Sequence, residues 1–164
     1  MPEPTRILFV CLGNIVRSPL AESLFRHLAE EAGVGEKYEV DSAGTAAYHL
    51  GDPPDPRMRN VAATHGLEYS GHGRQAQPAD FEHFDLLVPM DTSNYADLLS
   101  LANSADHKAK LRLMREFDPR AGGEHSVPDP YYGGIEGFEQ VYDVVERSVR
   151  ELLRRLEAGE VDLA

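Results

Sequence analysis

Apolar positions recur along this chain in two alternating rhythms. Residues 6–11 (RILFVC) form an almost unbroken apolar run, as expected of a strand buried on both faces. Residues 18–32 carry Leu20, Leu24, Phe25 and Leu28 at helical spacing, which predicts an amphipathic helix. Pro19 falls near its first turn, where a missing N–H is tolerated, and Gly33 and Gly35 mark its end. Residues 38–43 alternate as a second strand, and GDPPDP at 51–56 reads as a stiff turn. A short helix over 56–65 is expected to stop at Gly66. Residues 84–90 read as a third strand and 91–102 as a helix with Asp91 or Thr92 as N-cap. A weak fourth strand is expected within 111–117, and a Pro, Gly and Asp-rich loop over 118–134. From 135 to 156, Phe138, Val141, Tyr142, Val145, Val149, Leu152, Leu153 and Leu156 step by threes and fours, which predicts one long helix.

Strands alternating with helices imply a parallel sheet covered on both faces, a three-layer α/β/α arrangement. Ligands of such sheets bind beyond the carboxyl ends of the strands. Cys11 lies at such an end. The 164 residues show no repeat, low-complexity tract or linker, so one domain over 1–164 is expected.

Charge and cysteine count narrow the chemistry. A formal net charge of −12 disfavours binding to nucleic acid or an anionic membrane, which calls for a basic face. It also means that any phosphate site must generate its positive potential locally. A single cysteine forms no internal disulfide and supplies no zinc cluster. The opening MPEPTRILFV lacks the features of a signal peptide, and no run of eighteen apolar residues occurs. A cytoplasmic, reducing location is the expectation.

The chemistry concentrates in Cys11-Leu12-Gly13-Asn14-Ile15-Val16-Arg17-Ser18. A helix N-terminus, a ring of backbone N–H groups and a nearby guanidinium favour a thiolate, and the same donors bind phosphoryl oxygens. Five residues between Cys11 and Arg17 are enough to circle a tetrahedral oxyanion, and Arg17 can close the circle with a bidentate fork that lysine lacks. Gly13 and Asn14 suit left-handed backbone positions that turn successive N–H groups inward. Ser18 can donate to the Cys11 sulfur. A lone cysteine at a strand end is usually an inert core residue. Chance also places an arginine six positions on in roughly one chain of twelve of this composition. The preceding strand, the Gly-Asn pair and the Ser-Pro helix start decide for the chemistry.

Phosphoryl transfer to sulfur needs a proton for the leaving oxygen. Asp129, in VPDPYYGG at 127–134, sits between two prolines and before Tyr131 and Tyr132, an aromatic pair able to stack on an aryl substrate. Taken alone, the same stretch reads more readily as a plain Pro/Gly turn with two surface tyrosines. Asp52, Asp55, Asp91 and Asp118 compete, and nothing in the residues themselves singles out Asp129.

The chain resembles the low-molecular-weight protein tyrosine phosphatases, nearly from end to end. The family's signature loop reads VCLGNICRSP, and residues 10–19 here read VCLGNIVRSP. DSAG at 41–44, PDPR at 54–57, GH and RQ around 71–75, MD and SN within 90–94 and DPYYG at 129–133 follow in order. The resemblance implies a four-stranded parallel sheet with a phosphate-binding loop after the first strand. It implies Cys11 as nucleophile, Arg17 as phosphate clamp, and Asp129 as general acid and then general base. Leu12, Gly13, Asn14, Ile15 and Val16 would give amides to the phosphate. Asn14 would brace the loop through Ser18, Ser42 and His72, while Tyr48, Tyr131 and Tyr132 line the substrate cleft.

It further implies tyrosine-phosphorylated proteins as substrates; phosphate, sulfate or vanadate as active-site anions; a monomer or weak dimer; and no metal or other cofactor. Val16 stands where relatives often carry a second cysteine, and Tyr48 where some carry tryptophan. The stretch after His72 is one residue shorter than usual. An arsenate reductase on the same fold needs further cysteines, which this chain lacks. Protein-arginine phosphatases carry a small Thr where Ile15 stands and tend to lack paired tyrosines. A non-catalytic phosphotyrosine-binding module would have no use for Cys11 and Asp129.

Overall fold

A computed structural model describes residues 3–131 and 133–163. The chain runs β1 (Thr5–Cys11), α1 (Arg17–Glu31), β2 (Tyr38–Gly44), α2 (Pro56–Thr64), α3 (Asp80–His83), β3 (Leu86–Pro89), α4 (Thr92–Leu101), α5 (Ala105–Ala109) and α6 (Ile135–Glu157), with 3₁₀ turns at Gly35–Lys37 and Met114–Phe117.

The sheet is parallel, in the order β2-β1-β3. Ile7 sits opposite Val40 on one side and Leu86 on the other, and Cys11 sits opposite Gly44. β1 is central and buried on both faces, which explains its apolar run. Its residues alternate between two cores. Ile7, Phe9 and Cys11 join α1 and α6 through Phe25, Phe138, Val145 and Val149. Leu8 and Val10 face Phe81, Phe84, Leu87 and Leu98. Helices cover both faces, so the expected three layers are present.

The expected fourth strand does not form. Leu111 makes an isolated parallel bridge to Leu87, with Leu87 N donating to Lys110 O and Arg112 N to Leu87 O. After Leu113 the chain winds into a 3₁₀ turn that buries Met114 and Phe117 on the α6 side. Those two apolar residues are three apart, a spacing a turn can bury on one face and a strand cannot. The sheet among the described residues therefore has three strands, not four. The other elements fall within two residues of their expected bounds, and α3 and α5 are additions that the sequence pattern did not show.

Candidate active site

The loop over residues 12–16 leaves β1 and enters α1 directly. Asn14 takes the left-handed conformation, with φ 56°. Its amide repays that strain. Nδ2 donates to Ser18 Oγ at 2.9 Å and Ser42 Oγ at 3.0 Å, and Oδ1 accepts from Arg74 N at 3.0 Å. Ser42 in turn donates to Glu22 Oε1 at 2.7 Å.

The loop carbonyls are engaged by neighbouring segments. Cys11 O accepts from Thr45 N at 2.9 Å, Leu12 O from Ala46 N at 3.0 Å, and Ile15 O from Asp55 N at 2.7 Å. In a trans peptide the N–H points opposite the C=O, so the amides of Leu12, Gly13 and Val16 turn away from those partners. Val16, the N-cap of α1, makes no side-chain cap bond, which leaves first-turn amides available to an anion. Gly44 closes against this loop. A Cβ there would lie 2.7 Å from Leu12 O and 3.1 Å from Asn14 N.

Cys11 is buried, and its Sγ lies 3.0 Å from Ser18 Oγ. Ser18 Oγ, which accepts from Asn14, also lies 3.3 Å from Ala43 O. Its single proton is thus aimed between that carbonyl and the sulfur.

Arg17 is 2% exposed and anchored. Its Nη1 donates to Asp91 Oδ2 at 2.7 Å and to Val127 O at 3.0 Å, while Nη2 lies 3.6 Å from Asp129 Oδ2. Asp91 follows β3 and caps α4 by accepting from Asn94 N at 2.7 Å. Asp129, half exposed, uses its other oxygen to accept from Tyr131 N at 3.1 Å.

One cleft gathers Cys11, Arg17 and Asp129 with Leu12, Gly13, Ile15 and Val16, and Tyr48, His49 and Tyr131 complete its lining. Tyr48 stands on the rim, 77% exposed. Tyr132 lies outside the described residues. His72 is not a partner of Asn14: its Nδ1 lies 3.2 Å from Gly51 O, and the Arg74 backbone occupies the place expected for it.

Sequence reasoning missed Asp91 as the anchor of Arg17, Arg74 as the brace of Asn14, and His49 as a cleft residue. Asp91 was legible in principle, because the carboxyl end of β3 must reach the same edge of the sheet as that of β1.

A thiol at the end of the central parallel strand, in one cleft with an anchored guanidinium and a loop whose amides turn away from the partners of its carbonyls, is the arrangement of the cysteine-dependent phosphatases. The comparisons with known proteins agree. The sequence profile described as "Low molecular weight phosphotyrosine protein phosphatase" matches residues 6–161. A low molecular weight protein-tyrosine-phosphatase of Streptomyces coelicolor is 46% identical over 149 residues, spanning 90% of this chain and 91% of the relative. The human low molecular weight phosphotyrosine protein phosphatase is 41% identical over 150 residues, spanning 91% and 94%. A crystal structure of an Entamoeba histolytica protein tyrosine phosphatase, with Hepes in its active site, superposes with a TM-score of 0.91 at 39% identity, covering 96% of this chain and 99% of that one. The chain belongs to the low molecular weight protein-tyrosine phosphatase family.

Proposed function

We propose that this enzyme hydrolyses phosphotyrosine in proteins, and small aryl phosphates, in two steps through a phosphocysteine on Cys11. The gathering of the Cys11 sulfur, the Arg17 fork and the Asp129 carboxyl in one cleft carries the reading.

In the first step the Cys11 thiolate attacks phosphorus in line, forming the S–P bond as the P–O bond to the phenol breaks. Asp129 gives its proton to the departing phenolate oxygen. Arg17 Nη2, with Nη1 already committed to Asp91 and Val127, takes the equatorial oxygens together with the amides of residues 12–16. In the second step Asp129, now a carboxylate, takes a proton from water as the water oxygen attacks phosphorus. The S–P bond breaks, inorganic phosphate leaves, and Ser18 supports the departing thiolate by donating to it. Positive charge in the transition state comes from Arg17 and the amides, so the proposed chemistry calls for no metal.

Tyr48 and Tyr131 give the cleft aromatic walls suited to a phenyl ring, and bulky Ile15 narrows it. Free phosphate, sulfate and vanadate are expected to compete for the loop, and a cytoplasmic site of action fits the reduced thiol.

Hydrolysis of p-nitrophenyl phosphate and of a phosphotyrosine peptide, with and without vanadate, tests the reading. Vanadate-sensitive turnover of both is expected. A reduced, folded sample without turnover would point to a binding module, and preference for phosphoarginine would overturn the substrate assignment.

A further inference from the structure

The turn before α2 makes a connection that the catalytic steps above leave unused. Asp55 N donates to Ile15 O of the phosphate loop at 2.7 Å. The Asp55 carboxylate is buried, and its Oδ1 caps α2 by accepting from Arg57 N at 2.8 Å. The same carboxylate takes one edge of the Arg57 guanidinium, Nε at 3.1 Å on Oδ1 and Nη2 at 2.8 Å on Oδ2. The remaining nitrogen, Nη1, donates to Tyr131 O at 2.9 Å.

Tyr131 is thereby held at both ends of its backbone. Its carbonyl accepts from Arg57 and its N–H donates to Asp129 Oδ1 at 3.1 Å. The guanidinium carbon also lies 5.1 Å from the Tyr131 ring and 4.7 Å from the ring of Phe138 in α6. A continuous path of short polar contacts thus runs from Ile15 in the phosphate loop, through Asp55 and Arg57, to Tyr131 and Asp129.

We propose that Asp55 and Arg57 form a latch that sets the acid loop against the phosphate loop, making Arg57 a positioning residue for proton transfer by Asp129. The latch rests on the reading of Asp129 as the acid. Its design follows from side-chain chemistry. Only a planar fork can take a carboxylate along one side and a carbonyl along the other. The Asp55 carboxylate is fixed first, by burial and by the start of α2, so the guanidinium projects in one direction. Arg57 is half exposed, and its polar contacts run to the Tyr131 backbone of the acid loop.

General acid catalysis depends steeply on the placement of the donor, and its weight grows with the basicity of the leaving phenolate. Losing the latch should therefore cost most with poor leaving groups. It should spare the binding of an anion that contacts only the phosphate loop and Arg17.

The test compares wild type, Arg57→Met, Arg57→Lys, Asp55→Asn and Asp129→Ala on aryl phosphates of graded phenol pKa, with vanadate inhibition measured on each. Arg57→Met is expected to lower kcat/KM about 10- to 100-fold for phenyl phosphate and less than about threefold for p-nitrophenyl phosphate. Its vanadate inhibition constant should stay within about twofold of wild type, because vanadate needs no acid. Arg57→Lys should fall between, since one ammonium cannot serve both partners. Arg57→Met should add little to Asp129→Ala in the double variant, because both act on one proton transfer.

An unchanged leaving-group slope in Arg57→Met, beside a steepened one in Asp129→Ala, overturns the latch and leaves the acid assignment standing. An unchanged slope in Asp129→Ala overturns the acid assignment and the latch with it. A uniform loss across all substrates in both Arg57→Met and Asp55→Asn also contradicts positioning.

Discussion

Arg17 Nη1 donates to Asp91 Oδ2 at 2.7 Å, in a setting where the Arg17 side chain is 3% exposed. An arginine so buried cannot choose its rotamer freely, and Asp91, from the end of a different strand, fixes which edge of the fork faces the cleft. Asp91→Ala should therefore lower kcat/KM about 10- to 100-fold through misplacement of the guanidinium. It should also destabilise the fold by about 1–3 kcal/mol, because Arg17 loses its partner and α4 its N-cap. Steady-state kinetics and urea melts check both. Activity within twofold of wild type would show that Arg17 is oriented by Val127 O alone.

Gly44 pairs with Cys11 across the sheet while its missing side chain admits the loop backbone. Gly44→Ala would place a methyl group 2.7 Å from Leu12 O, closer than any relaxed contact. The loop must move, so vanadate affinity and turnover should both fall about 10-fold or more while the helices remain. Vanadate titration with far-UV circular dichroism separates these outcomes.

Two buried carboxylates make stability depend on acid. Burial raises the Asp118 carboxyl, but hydrogen bonds from Arg147, the Arg120 amide and Arg115 outweigh it and hold it below the usual carboxylate range. Burial likewise acts upward on Asp55, and the Arg57 side chain and amide prevail and lower it. A group lowered in the folded state leaves the unfolded chain binding more protons as pH falls. Its stabilisation is complete above the unfolded value of about 4 and is lost as pH drops through the folded value. Thermal melts between pH 7 and about pH 3 should show Tm falling as the pH drops below about 5. Asp118→Asn should be less stable at pH 7 by about 2–3 kcal/mol, with a flatter acid limb.

Val16, the N-cap of α1 in the same cleft as Cys11, carries no thiol, and the chain has no other cysteine. A sulfenic acid formed on Cys11 by peroxide thus has no internal thiol to condense with, and further oxidation proceeds to irreversible states. Peroxide-inactivated enzyme should recover only a minor part of its activity on thiol treatment, and Val16→Cys should raise that share. Full recovery of the wild type would contradict the prediction.

The layered fold and the reactive loop were legible in the sequence for one physical reason. β1 is apolar because it is central, and a central strand delivers its last residue, Cys11, to the ligand edge of the sheet. The spacing to Arg17 and the Ser-Pro helix start are local and could be read directly. The failures were non-local. The segment after Lys110 carries strand-like residues, yet Met114 and Phe117 find burial against α6 and take the chain into a turn. Asn14 needed a donor, and the Arg74 backbone that supplies it lies 60 positions away in the chain. Asp91 could be recognised as an N-cap from its neighbours, but its bond to Arg17 spans 74 positions and appears only in three dimensions.

The most direct test of covalent catalysis by Cys11 is a rapid acid quench during turnover of p-nitrophenyl phosphate, followed by mass measurement of the intact chain. Wild type should carry one phosphoryl group, mapped to Cys11, and Asp129→Ala should accumulate it if water activation is slowed. Cys11→Ser should show no turnover while still binding phosphate. Turnover near the wild-type rate by Cys11→Ser, with no phosphoryl group trapped on the wild-type chain, would contradict a phosphocysteine mechanism.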